Sequence, residues 1–237
     1  MNQPEKILIV RLGSLGDILH TVPAQQLIHA RLPNSQIHWL SDPSYVPLLN
    51  CVPGIQKVWP IDIGSWSALK ESPHLLGLLK SLRKECFDVV IDFQGLVKSA
   101  LLARIVGRNQ ILGFRAERFK EKGTGWFYSH RQEGESDLNQ HVINSNLELI
   151  EQLVGKDAPS ALIPFQIPIE DRNYVEKKLS TAGVKHPVLI NPGAGWVTKL
   201  WPASDYGRLA RMIRERLGLP VVVTFGPGEE DLVEKMR

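Results

Sequence analysis

Residues 6–17 read KILIVRLGSLGD, and the order of parts within this stretch decides the architecture. Four apolar residues, Ile7–Val10, stand between Lys6 and Arg11 without the polar alternation of a half-exposed strand. A continuous run of this kind suits a strand buried on both faces, as in a parallel sheet covered by helices. Gly13 and Gly16 then interrupt it. From Asp17 to Arg31, Ile18, Leu19, Val22, Leu27 and Ile28 recur at helical spacing. Strand, glycine turn and helix in succession open a βαβ unit. The turn then falls at the C-terminal edge of a sheet, where open α/β folds bind ligands.

The same alternation extends outward. Ile37–Leu40 and Lys57–Ile61 read as strands, 66–85 as a leucine-rich helix and Phe87–Asp92 (FDVVID) as another buried strand. Leu96–Ile105 is predicted helical, Gln110–Gly113 a short strand and Leu138–Val154 an amphipathic helix. Three prolines within 155–168 stop regular structure. After a helix over Glu170–Ala182 the pattern restarts. Pro187–Asn191 is a strand, Asn191–Gly195 a glycine-rich turn, Ala203–Leu217 a helix and Pro220–Phe225 a strand, with a last helix from Glu229. The expected fold class is α/β. Residues 1–154 form one Rossmann-like domain, 155–186 a linker and connecting helix, and 187–237 a partial second Rossmann-like domain, truncated or unusually small.

Apolar residues at 43% and charged residues at 22% exclude a disordered, collagen-like or coiled-coil chain. The two cysteines, Cys51 and Cys86, exclude a disulfide framework, a zinc ribbon and a C-x-x-C redox pair, and suit a reducing cytoplasm. No apolar core of about 7–15 residues marks a secretory signal, and no window approaches the ~18 apolar residues of a membrane span. A cytoplasmic protein is expected, able to touch a membrane surface.

Four features carry chemistry. The turn around Gly13 is G-x-x-G, which lacks the first glycine pair of the dinucleotide fingerprint, so Asp42 is a poor candidate for a ribose-binding acid. Asp17 either complements the helix dipole or acts on a ligand at the sheet edge. DFQGLVKSA at 92–100 makes a second strand-to-helix junction on the same edge, with Lys98 either meeting an anion or solvated. Between Arg108 and Arg131, six basic residues face two acidic ones, a positive surface that favours an anionic partner. The contiguous aromatics at 126–128 read as one packing element rather than a nucleic-acid platform. Finally, NPGAGWVTKLWP at 191–202 exposes backbone N–H groups beside Lys199, a phosphate-binding outline without the spacing of a Walker A loop. GPGEE at 226–230 repeats the turn, with acids suited to sugar hydroxyls.

Taken together, GSLGDILHTVPA, DFQGLVKSA, NPGAGWVTKLWP and GPGEE resemble the family 9 glycosyltransferases, the ADP-heptose:lipopolysaccharide heptosyltransferases. DFQGLVKSA and Gln140-His141 resemble the heptosyltransferase I branch most. The resemblance implies a GT-B fold, two Rossmann-like domains facing across a cleft, and an inverting transfer of heptose from ADP-heptose to the Kdo region of the lipopolysaccharide inner core. It implies Asp17 as general base, and Gly13, Ala194, Gly195, Thr198, Lys199 and Glu230 as donor-binding residues, with Glu229 a near alternative to Glu230. Ser14, Gln94, Gly95, Lys98 and Lys120 fall on the acceptor side. It further implies a Kdo-lipid A type acceptor, peripheral contact with the inner face of the cytoplasmic membrane, and no nucleic-acid partner. No D-x-D is present, so neither a metal nor a cofactor is expected beyond the donor. The D-T-G-x-x-H-like second donor motif of the family is missing, so incomplete donor binding is expected. A sugar-nucleotide epimerase of GT-B-like fold and a non-catalytic acceptor-binding remnant are the alternatives.

Overall fold

The computed structural model describes residues 3–62, 73–115, 121, 123–132, 139–156, 164–195 and 197–236. The chain divides into two compact units, Met1–Gln166 and Ile167–Arg237.

The first unit is built on six parallel strands: β1 (Lys6–Val10), β2 (Gln36–Ser41), β3 (Ile55–Pro60), β4 (Val89–Asp92), β5 (Gln110–Gly113) and β6 (His130–Arg131). Their spatial order is β3-β2-β1-β4-β5-β6. Chain direction along the sheet therefore reverses between β1 and β4, which opens a crevice beyond their C-terminal ends. The apolar run of β1 explains its central place. Ile7 and Ile9 point to one face, and Leu8 and Val10 to the other; all four are fully buried. On the Ile7 side they join Trp39, Ile91 and the inner stripes of α1 (Leu15–Arg31) and α5 (Val142–Val154). On the Leu8 side they join Leu40, Val90, Leu82 of α3 (Pro73–Glu85) and Ala100, Leu102 and Ala103 of α4 (Val97–Val106).

The sequence expectations are met to within a few residues for β1 to β5, α1 and α4. The expected helix over 66–85 is helical from Pro73; residues 63–72 lie outside the described residues. The helix expected from Leu138 begins at Val142, because His141 caps it, with Nδ1 accepting from the Ile143 N–H at 3.3 Å. Among the described residues, two elements of the first unit show what the pattern alone does not reveal. A helical corner spans Pro43–Asn50, whose first part is a 3-10 turn and whose second is α2 (Val46–Asn50). The other is β6, whose two exposed polar residues carry no strand pattern and pair only because Leu112 and Gly113 offer a free edge.

The second unit pairs β7 (Val188–Ile190) with β8 (Val221–Val223) in parallel. Three helices accompany them: α6 (Ile169–Thr181), α7 (Ala203–Leu217) and α8 (Glu230–Glu234). At Gly207 of α7 a Cβ would come within 2.0 Å of the Met236 carbonyl oxygen, so this glycine lets the backbone just after α8 lie against α7.

Candidate active site

The strands that flank the reversal point deliver two loops to the same place. Beyond Val10 the chain continues through Arg11, Leu12 and Gly13 into α1, with Ser14 at the helix N-cap. Beyond Asp92, whose register partner is Val10, it runs through Phe93, Gln94 and Gly95 into α4. Arg11 joins the loops. Only 4% exposed, its guanidinium pairs with Asp17 (Nη2 to Oδ2, 2.7 Å) and donates from Nη1 to the Phe93 carbonyl. Burial pushes the Arg11 guanidinium down, and the neighbouring charges of Asp17 and Asp92 pull it back up. Gln94 makes a second brace by accepting the Leu12 N–H at 3.1 Å.

Asp17 sits at the hub. Besides Arg11, its Oδ2 accepts from the Ser14 N–H at 3.2 Å and from the Ser14 hydroxyl at 3.3 Å. The dipole reading and the ligand reading are thus compatible, since one carboxylate caps α1 and also lines two cavities. The larger, about 500 Å³, is lined by Leu12, Gly13, Ser14, Asp17, Asp42, Ser44, Tyr45, Ile61 and Gln94. Asp42 spends Oδ1 on the Ser44 N–H at 2.9 Å and caps the corner turn. The smaller, about 170 Å³, is lined by Asp17, Gln94 and Gly95 together with Arg11 and residues of α5.

The second loop is held from below by Asp92, which is wholly buried. Its Oδ1 accepts from the N–H groups of Gln94 (2.8 Å) and Gly95 (3.2 Å), and its Oδ2 from the hydroxyls of Ser99 and Tyr128, both at 2.8 Å. Burial raises its pKa, and these four donors oppose the shift. The Tyr128 hydroxyl is pushed up by its own burial and by the Asp92 charge. Gly95 adopts φ +69°, a left-handed conformation that favours glycine, and so turns the chain into α4.

Gly13, Ser14, Asp17 and Gln94 therefore meet around one cavity, and Asp17, Gln94 and Gly95 around the other. Lys98 stands exposed on the first turn of α4 and lines neither; Lys120 lies outside the described residues. In the second unit, Thr198 and Lys199 are exposed in a short 3-10 turn after the Gly193–Gly195 loop, and Glu230 is exposed at the start of α8. Glu229 ties the two glycine-rich turns together. Its Oε2 accepts the Gly226 N–H at 2.7 Å, and its carboxylate occupies the space a Cβ on Gly193 would need. Among the described residues, no three His, Cys, Asp or Glu side chains gather to hold a metal ion, and no helix is long and apolar enough to cross a membrane.

Arg11 and Asp92 stand inside the two loop motifs, but the motifs do not assign them these bracing roles. The available signal was a charge closing an apolar run at the C-terminal end of a central strand, where burial demands a partner.

Residues 75–237 match the family model described as glycosyltransferase family 9 (heptosyltransferase). The chain belongs to that family. It is 28% identical to the lipopolysaccharide heptosyltransferase 1 of Pseudomonas aeruginosa over 231 residues, 95% of this chain and 62% of that protein. It is 29% identical to the lipopolysaccharide heptosyltransferase 1 of Campylobacter coli over 213 residues, 88% of this chain and 60% of that protein. This family 9 chain thus spans about three fifths of the length of these curated relatives. In fold it resembles the E. coli heptosyltransferase WaaC solved with ADP-2-deoxy-2-fluoro heptose (TM-score 0.73, 22% identity, 98% of this chain and 72% of that one). It also resembles the E. coli ADP-heptose lps heptosyltransferase II (TM-score 0.74, 20% identity, 98% and 67%). The fold class is α/β of the GT-B type.

Proposed function

We propose that this chain serves an inverting heptosyl transfer from ADP-heptose to the Kdo region of the lipopolysaccharide inner core, with Asp17 as general base. One observation carries the reading. The Asp17 carboxylate lies at the reversal point of the first sheet, oriented by a buried arginine and open to a cavity of about 500 Å³. An acceptor hydroxyl there gives its proton to Asp17 as its oxygen forms the bond to the anomeric carbon, while the bond from that carbon to the diphosphate breaks and ADP leaves. A sugar hydroxyl is a poor nucleophile at neutral pH, and a positioned base contributes roughly 10²–10⁴-fold. Ser14, Gln94, Gly95, Lys98 and Lys120 are assigned to the acceptor. Gly13, Ala194, Gly195, Thr198 and Glu230 are assigned to the donor, with the Lys199 ammonium offsetting charge on the departing diphosphate. The names of the Pseudomonas and Campylobacter relatives support transfer of the first heptose. A lipid-borne acceptor places the protein at the inner face of the cytoplasmic membrane.

The test is Asp17→Asn in the protein carrying this chain, assayed by ADP release from ADP-heptose with Kdo-lipid A. The expected loss is roughly 10²-fold or more, since amide and carboxylate share a shape and differ in basicity. Retention of more than about a tenth of the rate overturns the general-base role.

A further inference from the structure

The smaller cavity, about 170 Å³, lies between the Asp17 loop and α5. Four of its lining residues carry a buried polar atom without a hydrogen-bond partner: Arg11 Nε, Gln140 Nε2, Ser145 Oγ and Asn146 Oδ1. Eight such atoms occur among the described residues, and half of them belong to residues that line this one small space. Buried polar groups in folded proteins are paired as a rule, and a cluster of exceptions calls for a ligand or ordered water. Ser145 and Asn146 are each 2% exposed. They sit one turn before the buried Leu149 and Ile150 on the core face of α5, where packing alone selects apolar side chains. The Asn146 amide cannot be turned round, because its Nδ2 donates to the His20 carbonyl at 2.9 Å. Oδ1 is therefore the amide atom without a partner.

We propose that this cavity is a subsite for the exocyclic diol of the acceptor sugar; the inference rests on the acceptor reading of Asp17. The polar set is neutral as a whole, since Asp17 takes up the Arg11 charge at 2.7 Å and Gln140, Ser145 and Asn146 carry none. It offers N–H donors at Arg11 and Gln140, a carbonyl acceptor at Asn146 and a hydroxyl at Ser145 that does either. A diol accepts and donates in the same way. A carboxylate or phosphate only accepts, and would meet the Asn146 carbonyl and the Asp17 carboxylate. The space holds a two-carbon fragment in place of a few waters, each of which takes about 30 Å³. Phe93, Phe114 and Val142 supply apolar wall for its carbons.

The experiment is a ligand-observed NMR titration of the protein with Kdo methyl glycoside and with the same glycoside shortened at its terminal diol by periodate and borohydride while the ring diol is protected, the protection then being removed. The intact sugar is expected to bind about tenfold more tightly, as for one or two net hydrogen bonds. In Ser145→Val and in Gln140→Leu the difference should fall below about twofold, with the shortened sugar bound as before. Gln140 lies outside the helix, so it reports even where Ser145→Val disturbs α5. Equal affinities in the unsubstituted protein overturn the subsite and leave the acceptor reading in place. Binding of neither sugar overturns both.

Discussion

In the first unit every residue from Ile7 to Val10 of β1 is fully buried; in the second, Leu189 at the middle of β7 is 65% exposed and the three valines of β8 are half-buried. Both strands are apolar runs that close a parallel pairing. The difference lies in what surrounds them. β1 has a strand on each side and a helix layer on each face, whereas among the described residues β7 and β8 pair with one another alone and no residue of α6 is buried. Local pattern thus decides that a strand forms, and its neighbours decide how much that strand is worth, since a two-stranded sheet is marginal by itself.

The strongest way to break this contrast is to empty the first unit of its buried polar anchor. Asp92→Ala leaves two N–H groups and the Tyr128 hydroxyl without their acceptor, while the Ser99 hydroxyl keeps the Leu96 carbonyl at 2.9 Å, and should cost about 3–5 kcal/mol in urea unfolding. A loss below about 1 kcal/mol would mean that the loop holds itself. Hydrogen exchange sharpens the contrast directly. Amides of β7 and β8 are expected to exchange at least about 100-fold faster than those of β1 and β4, a gap of about 2.7 kcal/mol. Equal protection would show the second unit to be as well supported as the first. Within that unit, Gly193→Ala places a Cβ 2.1 Å from Glu229 Oε1, so Glu229 must swing away and release the Gly226 N–H. A cost of about 1 kcal/mol is expected by thermal melting. Gly195→Ala, with nothing within 4 Å of the added carbon, should cost much less.

The smallest expected effect depends on pH. His38 of β2 is buried, accepts the Trp59 indole N–H on Nδ1 at 3.0 Å, and has its pKa lowered chiefly by burial. The unfolded chain therefore takes up that proton first as pH falls below about 6.5. The first unit should lose stability from there down to the lower folded pKa. His38→Gln keeps an acceptor for Trp59 and should flatten the profile measured between pH 7.5 and 5.5.

Legibility followed burial and chain distance. β1, β4 and α7 could be read closely because their apolar periodicities are local; α7 runs over Ala203–Leu217 as expected. β6 could not, since two exposed polar residues pair there through an edge supplied from elsewhere. Asp17, Ser14 and Gln94, which the family resemblance singles out, line one cavity. The bracing by Arg11 and Asp92 was not legible, because Arg11 meets Phe93, and Asp92 meets Tyr128, only after the fold brings distant segments together. Ser145 and Asn146 did leave a trace, as polar residues on the apolar stripe of a helix.

The pairing of Val10 with Asp92 has a consequence for how the family can diverge. Arg11 and Phe93 are the first residues past that rung, so their contact is measured out from the ladder itself. Inserting or deleting one residue within either strand turns the following side chain to the opposite face of the sheet. Chains that keep this bond should then tolerate insertions in the corner after β2 or in the segment before α6. In β1, β4 and the few residues that follow them, natural variation should consist of substitutions, with insertions and deletions purged.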